Sequence, residues 1–261
     1  SAIAGTINII TKEPLRNSAQ VSHSLTMVGG SSADNNTTVN ASLVTDDQKA
    51  GIYIFGQSRM REMYDHDDDG FSEVPKLQAK TIGFRSYLKT SDYSKLTFEY
   101  HGINEFRRGG NLFNKPPHEA DIAEQIEHNI NGGGLKFDLF SKDYKHRFSA
   151  YSSAQHTKRE SYYGVGQDPN AYGSTTDMTA IVGTQYSYSF DRCLFMPAEL
   201  TTGLEYNFDN LHDLMLGHNR ELKQTTHIES VFLQNEWKNK RWSFLIGGRL
   251  DKHNLIDHVI F

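Results

Sequence analysis

Polar and apolar side chains alternate along most of this sequence, and this period of two restricts its fold more than any other feature. In "KLTFEYH" (95–101), "AELTTGLEYNFD" (198–209) and "RWSFLIGGRLD" (241–251), apolar residues recur at every second position. A strand with one apolar and one polar face requires that spacing. The apolar residues of these runs should therefore face outward: Leu96, Phe98, Leu200, Leu204, Phe244 and Ile246. The polar residues between them should face the interior: Thr97, Glu99, Glu205 and Arg249.

The connections between the alternating runs follow a rhythm. Similar runs elsewhere bring the prediction to about eleven strands, several of roughly ten to fourteen residues, which is long for a soluble sheet. Tight polar turns such as "TDDQKA", "TSDYSK", "SKDYKH" and "KNKR" alternate with long connections from about Glu62, Arg108, Ser161 and Asp209. One end of the sheet would carry only short turns and the other end long loops, as in membrane barrels.

Aromatic residues gather at the short turns. Trp237 and Trp242 flank the turn around "NK", and Tyr93, Tyr144 and Phe190 lie in or beside other short turns. Aromatic girdles mark the boundary between lipid and water in membrane barrels. Together with the alternation, they predict an all-β protein, a membrane antiparallel up-and-down β-barrel.

Composition removes several other classes of protein. The 261 residues carry a net charge of −5, with 37% hydrophobic and 23% charged residues, so neither a disordered chain nor a basic nucleic-acid binder is expected. No apolar run approaches the roughly twenty residues of a membrane helix. Barrel strands are apolar only at every second position, so a search for continuous apolar runs does not detect them. A membrane barrel is therefore compatible with the low mean hydropathy.

The segment "YDHDDDGFSEVP" (64–75) concentrates five carboxylates and contains no Lys or Arg. Asp65, Asp67 and Asp69 occupy alternate positions and are followed by Gly70. This D-x-D-x-D-G pattern is typical of the start of a calcium loop. The twelfth position holds Lys76 and not Glu, so this is no EF-hand. We expect a calcium site here, and a plain solvated acidic loop is the alternative. Its candidate ligands are Asp65, Asp67, Asp68, Asp69 and Glu73.

Two other stretches offer groups for a small-molecule ligand. Aromatic rings and guanidinium groups can stack on a large planar molecule and hydrogen-bond to it. Candidates come from "EFRRGGN" and "ESYYGVGQDPNAYG": Arg107, Arg108, Tyr162, Tyr163 and Tyr172. In contrast, "PHEADIAEQIEH" lacks the His spacing of a metalloprotease and predicts a short amphipathic loop helix. No G-x-S-x-G or phosphate loop occurs, so an enzyme is not expected.

The opening "SAIAGTINIITKEP" resembles the end of the plug domain of TonB-dependent outer-membrane transporters. The resemblance implies a plugged barrel of about 22 strands that imports scarce nutrients with energy delivered by TonB. On this basis, residues 1–14 would end the plug and residues 15–261 would form the N-terminal half of the barrel. The chain would then be a fragment of a multi-pass outer-membrane protein.

Within that family, "DDDGF" (67–71) looks like the calcium loop of cobalamin (vitamin B12) transporters. The resemblance implies a corrinoid ligand, a structural calcium ion, and TonB, outer-membrane lipid and a surface lipoprotein as partners, with no nucleic acid. An iron-siderophore or haem receptor is the alternative within the class. A secreted calcium-dependent binding module is the alternative outside it.

Overall fold

A computed structural model describes residues 13–256 and the backbone of 259–260. The plug-end motif, residues 1–12, lies outside the described residues. The described strands form one antiparallel sheet in chain order, which confirms an up-and-down arrangement typical of a partial barrel. Their bounds are β1 Ser18–Val28, β2 Ser32–Val44, β3 Ala50–Arg61, β4 Lys76–Ser91, β5 Ser94–Gly110, β6 Ile122–Phe140, β7 His146–Val165, β8 Tyr172–Cys193, β9 Met196–Met215, β10 Arg220–Lys238, β11 Ser243–His253 and β12 Val259–Ile260.

The helical content of the described chain is two short 3-10 turns, Pro117–Glu119 and Leu216–His218. None of the helices in this part of the chain has the length and hydropathy to cross a membrane. The amphipathic loop helix predicted from "PHEADIAEQIEH" is wrong, because the residues from Ile122 onward belong to β6. They pair with β5 on one side and β7 on the other, and this pairing overrides the local pattern.

The strands are longer than the sequence predicts, reaching 22 residues in β8. Two expected long connections, from Ser161 and Asp209, are instead extended hairpins: β7 to β8 and β9 to β10. Their chain reversals are confined to 166–171 and 216–219. Polar residues that pair across the hairpins hide the alternation there. The connections at 62–75 and 111–121 remain long, so the rims differ as expected.

The two faces of the sheet have the predicted character. Leu204 is 61% exposed and Ile246 is 69% exposed on one face, while Thr97 is buried on the other. On this second face, the Tyr151 hydroxyl donates to Glu205 Oε2 at 2.9 Å, across the intervening strand β8. Side chains from non-adjacent strands meet on a concave surface, so the polar face is the interior of the curved sheet.

The apolar band on the outer face starts at the short turns and ends after about ten residues of each strand, which is the length that crosses a bilayer. On β9, the outward positions change from Leu204, Tyr206 and Phe208 to Asn210 and His212. Beyond this band the strands continue toward the long connections. We call that end the long rim.

Aromatic side chains cluster at the short turns, as predicted. Trp237 stacks on Phe195 with 5.7 Å between ring centroids, and its Nε1 donates to the Cys193 carbonyl at 3.0 Å. Trp242 stacks on Phe244 at 6.4 Å. At other turns, Tyr93 and Tyr144 lie 5.9 Å apart. Stacking holds these rings at the edge of the apolar band that lies beside the short turns.

Glycines on the concave face let aromatic rings lie flat against the wall. A Cβ at Gly203 would lie 2.5 Å from the Thr184 carbonyl oxygen and 2.6 Å from Phe232 Cζ. Overpacking of this kind costs about 1–3 kcal/mol. We therefore expect Gly203→Ala to lower the unfolding temperature of the intact protein in detergent by several degrees.

Gly56→Ala is the matched control for that substitution. Its Cβ would meet the end of the Val39 side chain at 3.2 Å, and that side chain can give way. Equal unfolding temperatures for the two variants would show that the glycines do not shape the wall.

Candidate functional site

The acidic segment is a long-rim loop, residues 62–75, that is held at both ends. Tyr64 and Val74 form a two-way backbone bridge with N to O distances of 3.0 and 3.1 Å. The Ser72 amide donates to the Gly110 carbonyl at 3.0 Å, and the Gly110 amide donates to Ser72 Oγ at 3.2 Å. These contacts fix the loop against the long-rim end of β5.

Four of the five predicted calcium ligands lie together. One carboxylate oxygen each from Asp65, Asp67, Asp69 and Glu73 falls within 4.8 Å of all the others. Asp68 is not in this group. Its backbone takes a left-handed conformation in the turn, with φ 59°. Within the described residues, no Lys or Arg forms an ion pair with any of the four.

The backbone shapes this cluster from within. Asp65 accepts hydrogen bonds from the amides of Asp68 and Gly70, both at 2.8 Å. Gly70 has φ 90°, a conformation that favours glycine. Like charges this close repel one another, and an all-oxygen group is what a hard cation such as calcium prefers.

A cavity of about 680 Å³ lies between this loop and the long-rim ends of β5, β6 and β7. Arg107 and Tyr163 line it, and both lie on the concave face of the sheet, at alternate positions from Thr97 and Ser161 respectively. Glu73 of the carboxylate cluster forms part of the wall. The two candidate sites therefore share a side chain.

The other three candidate ligand residues lie on the opposite face. Tyr162 is 1% exposed and packs with Tyr172 edge to face, 4.9 Å between centroids. Its hydroxyl donates to the Asp168 carbonyl at 3.0 Å, and burial raises its pKa. Tyr172 and His118 share a 2.7 Å hydrogen bond. This packing holds the hairpin and loop together, so Tyr162 offers no surface to a ligand.

Arg108 braces the long connection 111–121. It is 6% exposed and donates to the carbonyls of Lys115 at 2.7 Å and Leu112 at 3.2 Å. Its guanidinium also lies 5.5 Å from the centre of the Phe113 ring. Burial lowers its pKa below the ordinary value. Of the five candidates, only Arg107 and Tyr163 line the cavity.

Sequence reasoning missed Glu124 in the cavity wall. Glu124 pairs in register with Gly109 on β5 and Tyr163 on β7. Glu124 lies in the stretch expected to be helical. Only the register of three strands brings it to the cavity, and no local motif marks it.

Comparisons with known proteins agree with the fold. A model of the family described as "TonB dependent receptor-like, beta-barrel" matches residues 63–258. No curated protein matches the chain. The structure is similar to the siderophore receptor PirA from Acinetobacter baumannii, with a TM-score of 0.74 and 13% identity over 97% of this chain and 41% of that one.

Two further solved structures are similar. PirA from Pseudomonas aeruginosa gives a TM-score of 0.67 at 13% identity, over 97% of this chain and 40% of that one. The copper transporter OprC gives 0.56 at 13% identity, over 84% and 36%. The chain thus spans about two fifths of these receptors, and identities this low show the fold alone. The family match covers most of the sequence, and the chain belongs to the TonB-dependent receptor-like β-barrel family.

Proposed function

We propose that this chain forms part of an outer-membrane importer that takes up a small-molecule nutrient with energy supplied through TonB. The observation that carries the proposal is the single up-and-down sheet with an apolar outer band, a polar concave face and a cavity at the long rim. Such a wall separates lipid from a polar interior. Nothing in this arrangement calls for chemistry on the ligand, so the proposed role is transport.

We also propose that residues 1–14 end a plug and residues 15–261 form the N-terminal half of the barrel. The Glu13 carboxylate pairs with the Lys95 ammonium group. Lys95 shares the concave face with Thr97. Glu13 therefore lies on the interior side, which is the side that a plug would occupy.

The finer proposal for the ligand is cobalamin or a related corrinoid. Support comes from the acidic loop beside a cavity whose volume falls within the range of small-molecule sites. An iron-siderophore is the second candidate, since two of the structural neighbours are named as siderophore receptors. A haem receptor is a third possibility within the class.

We propose that Asp65, Asp67, Asp69 and Glu73 hold a calcium ion at the long rim, without Asp68. The ion would neutralise part of the repulsion among the carboxylates and fix the shape of the loop. Because Glu73 also lines the cavity, a fixed loop would present one wall of the ligand site in a single position. Other proposed partners are outer-membrane lipid and a surface lipoprotein.

Affinity capture of the intact protein tests the proposed ligand. Detergent-solubilised protein from cells supplied with both cobalamin and ferric siderophores should retain a corrinoid, identified by mass spectrometry. Retention of a ferric chelate in place of a corrinoid would favour the second candidate. Protein that stays soluble and monodisperse without detergent would support a secreted calcium-dependent binding module instead.

A further inference from the structure

Carboxylates outnumber cations in the wall of the long-rim cavity. Its charged lining residues in the described chain are Glu73, Glu124 and Arg107. The Arg107 guanidinium lies 3.2 Å from Glu105 Oε1, so its positive charge is already offset. Glu124 forms no ion pair within the described residues and is exposed to the cavity. The local charge of the wall is negative.

Neighbouring elements do not reverse this sign. Lys76 pairs with Glu62 at 3.0 Å, and Arg59 pairs with Asp34 at 2.6 Å. Arg61 donates to the Pro75 carbonyl at 3.1 Å. Arg108, on the opposite face of β5, is turned away from the cavity and donates to the carbonyls of Lys115 and Leu112. Residues 64–75 of the adjoining loop hold five carboxylates, including Glu73 of the wall, and no Lys or Arg. A calcium ion would offset only two of these charges.

Apart from Ser72 and the glycines, the rest of the lining is apolar or aromatic. Tyr163 is 42% exposed and Val165 is 71% exposed, and Ile122 and Phe71 line the same cavity. A bound molecule would therefore place an apolar or planar flank against Tyr163. Its remaining edge would face carboxylates, which accept hydrogen bonds and donate none.

We propose that this cavity selects ligands of zero or positive net charge that carry amide, hydroxyl or ammonium donors, and that it discriminates against polyanionic chelates. The inference rests on the proposed function, because it takes the cavity as the ligand site. Discrimination comes from repulsion as well as attraction. A neutral corrinoid with amide side chains or a cationic ferric hydroxamate fits this requirement, whereas a polyanionic ferric catecholate does not.

A thiol placed in the cavity measures the local potential without any ligand. We expect Tyr163→Cys, made in the intact receptor with Cys193→Ser, to react faster with a cationic methanethiosulfonate than with an anionic one. The ratio of the two rates is normalised to a small thiol in solution, and a chelator is present throughout. At moderate salt, one nearby carboxylate should change this ratio by about tenfold.

Two substitutions identify the source of the field. Glu124→Gln should lower the normalised ratio by about tenfold, because Glu124 lies beside position 163 in the register. Glu127→Gln is the matched control on the opposite face of β6 and should leave the ratio unchanged. Val165→Cys, at a more exposed cavity position, provides a second thiol, and its introduction should leave folding undisturbed.

A normalised ratio of one or less at both thiol positions would overturn the inference, as would a ratio that ignores Glu124→Gln. The assay needs neither transport nor the natural ligand. A receptor that shows the expected ratio but imports nothing would therefore contradict the proposed function, while the negative potential of the cavity would stand.

Discussion

Replacing both Asp67 and Asp69 by Asn is expected to abolish calcium binding at the long rim and to weaken ligand binding with it. The double substitution turns two of the four clustered carboxylates into neutral amides and so halves the negative charge that attracts the ion. Glu73 belongs to both the carboxylate cluster and the cavity wall, so the loss of calcium should also change the shape of the cavity. A coupling of about 1–3 kcal/mol corresponds to roughly a 5–150-fold loss of ligand affinity.

Calorimetry of the intact receptor, with corrinoid and with calcium or a chelator, measures this coupling. Asp68→Asn is the matched control, because it removes one carboxylate of the same loop that lies outside the cluster. It should preserve both calcium binding and its effect on the ligand. Identical corrinoid affinity in all proteins and both conditions would mean that the loop is only solvated charge.

Neighbouring tyrosines on β7 should respond to substitution in opposite ways. Tyr162→Ala removes a ring that is 1% exposed and packs against Tyr172, so we expect a loss of about 3–5 kcal/mol in stability. Tyr163→Ala removes a ring from the cavity wall and should leave stability nearly unchanged. Its effect should instead be a loss of ligand affinity.

Thermal unfolding and ligand titration on the same two variants separate these roles. If Tyr163→Ala unfolds as early as Tyr162→Ala while binding ligand normally, Tyr163 is a packing residue and the cavity is not the ligand site. Tyr163→Phe serves as the conservative variant, since it retains the ring and loses only the hydroxyl.

The alternation of residues allowed the strands and their two faces to be predicted over the apolar band. Leu204 and Glu205 lie on the outer and concave faces as their positions in the pattern require. The pattern fails near the long rim, where "HTKRESYYG" is polar at almost every position. Without an apolar reference, Tyr162 and Tyr163 could not be assigned to different faces.

The spacing of the acidic residues predicts candidate calcium ligands but not their geometry. Asp68 lies outside the cluster and has a left-handed backbone in the turn, neither of which a list of acidic residues reveals. Glu124 enters the cavity through the register of β5, β6 and β7. Register depends on the turns at the far rim, so the composition of the cavity could not be derived from local sequence.

Uptake of labelled ligand by cells that depend on this receptor tests the central claim most directly. We predict that collapse of the protonmotive force stops accumulation inside the cell, while binding at the cell surface persists. A strain lacking TonB should behave in the same way without the treatment. Accumulation that continues unchanged after the collapse would contradict active import and indicate a passive pore.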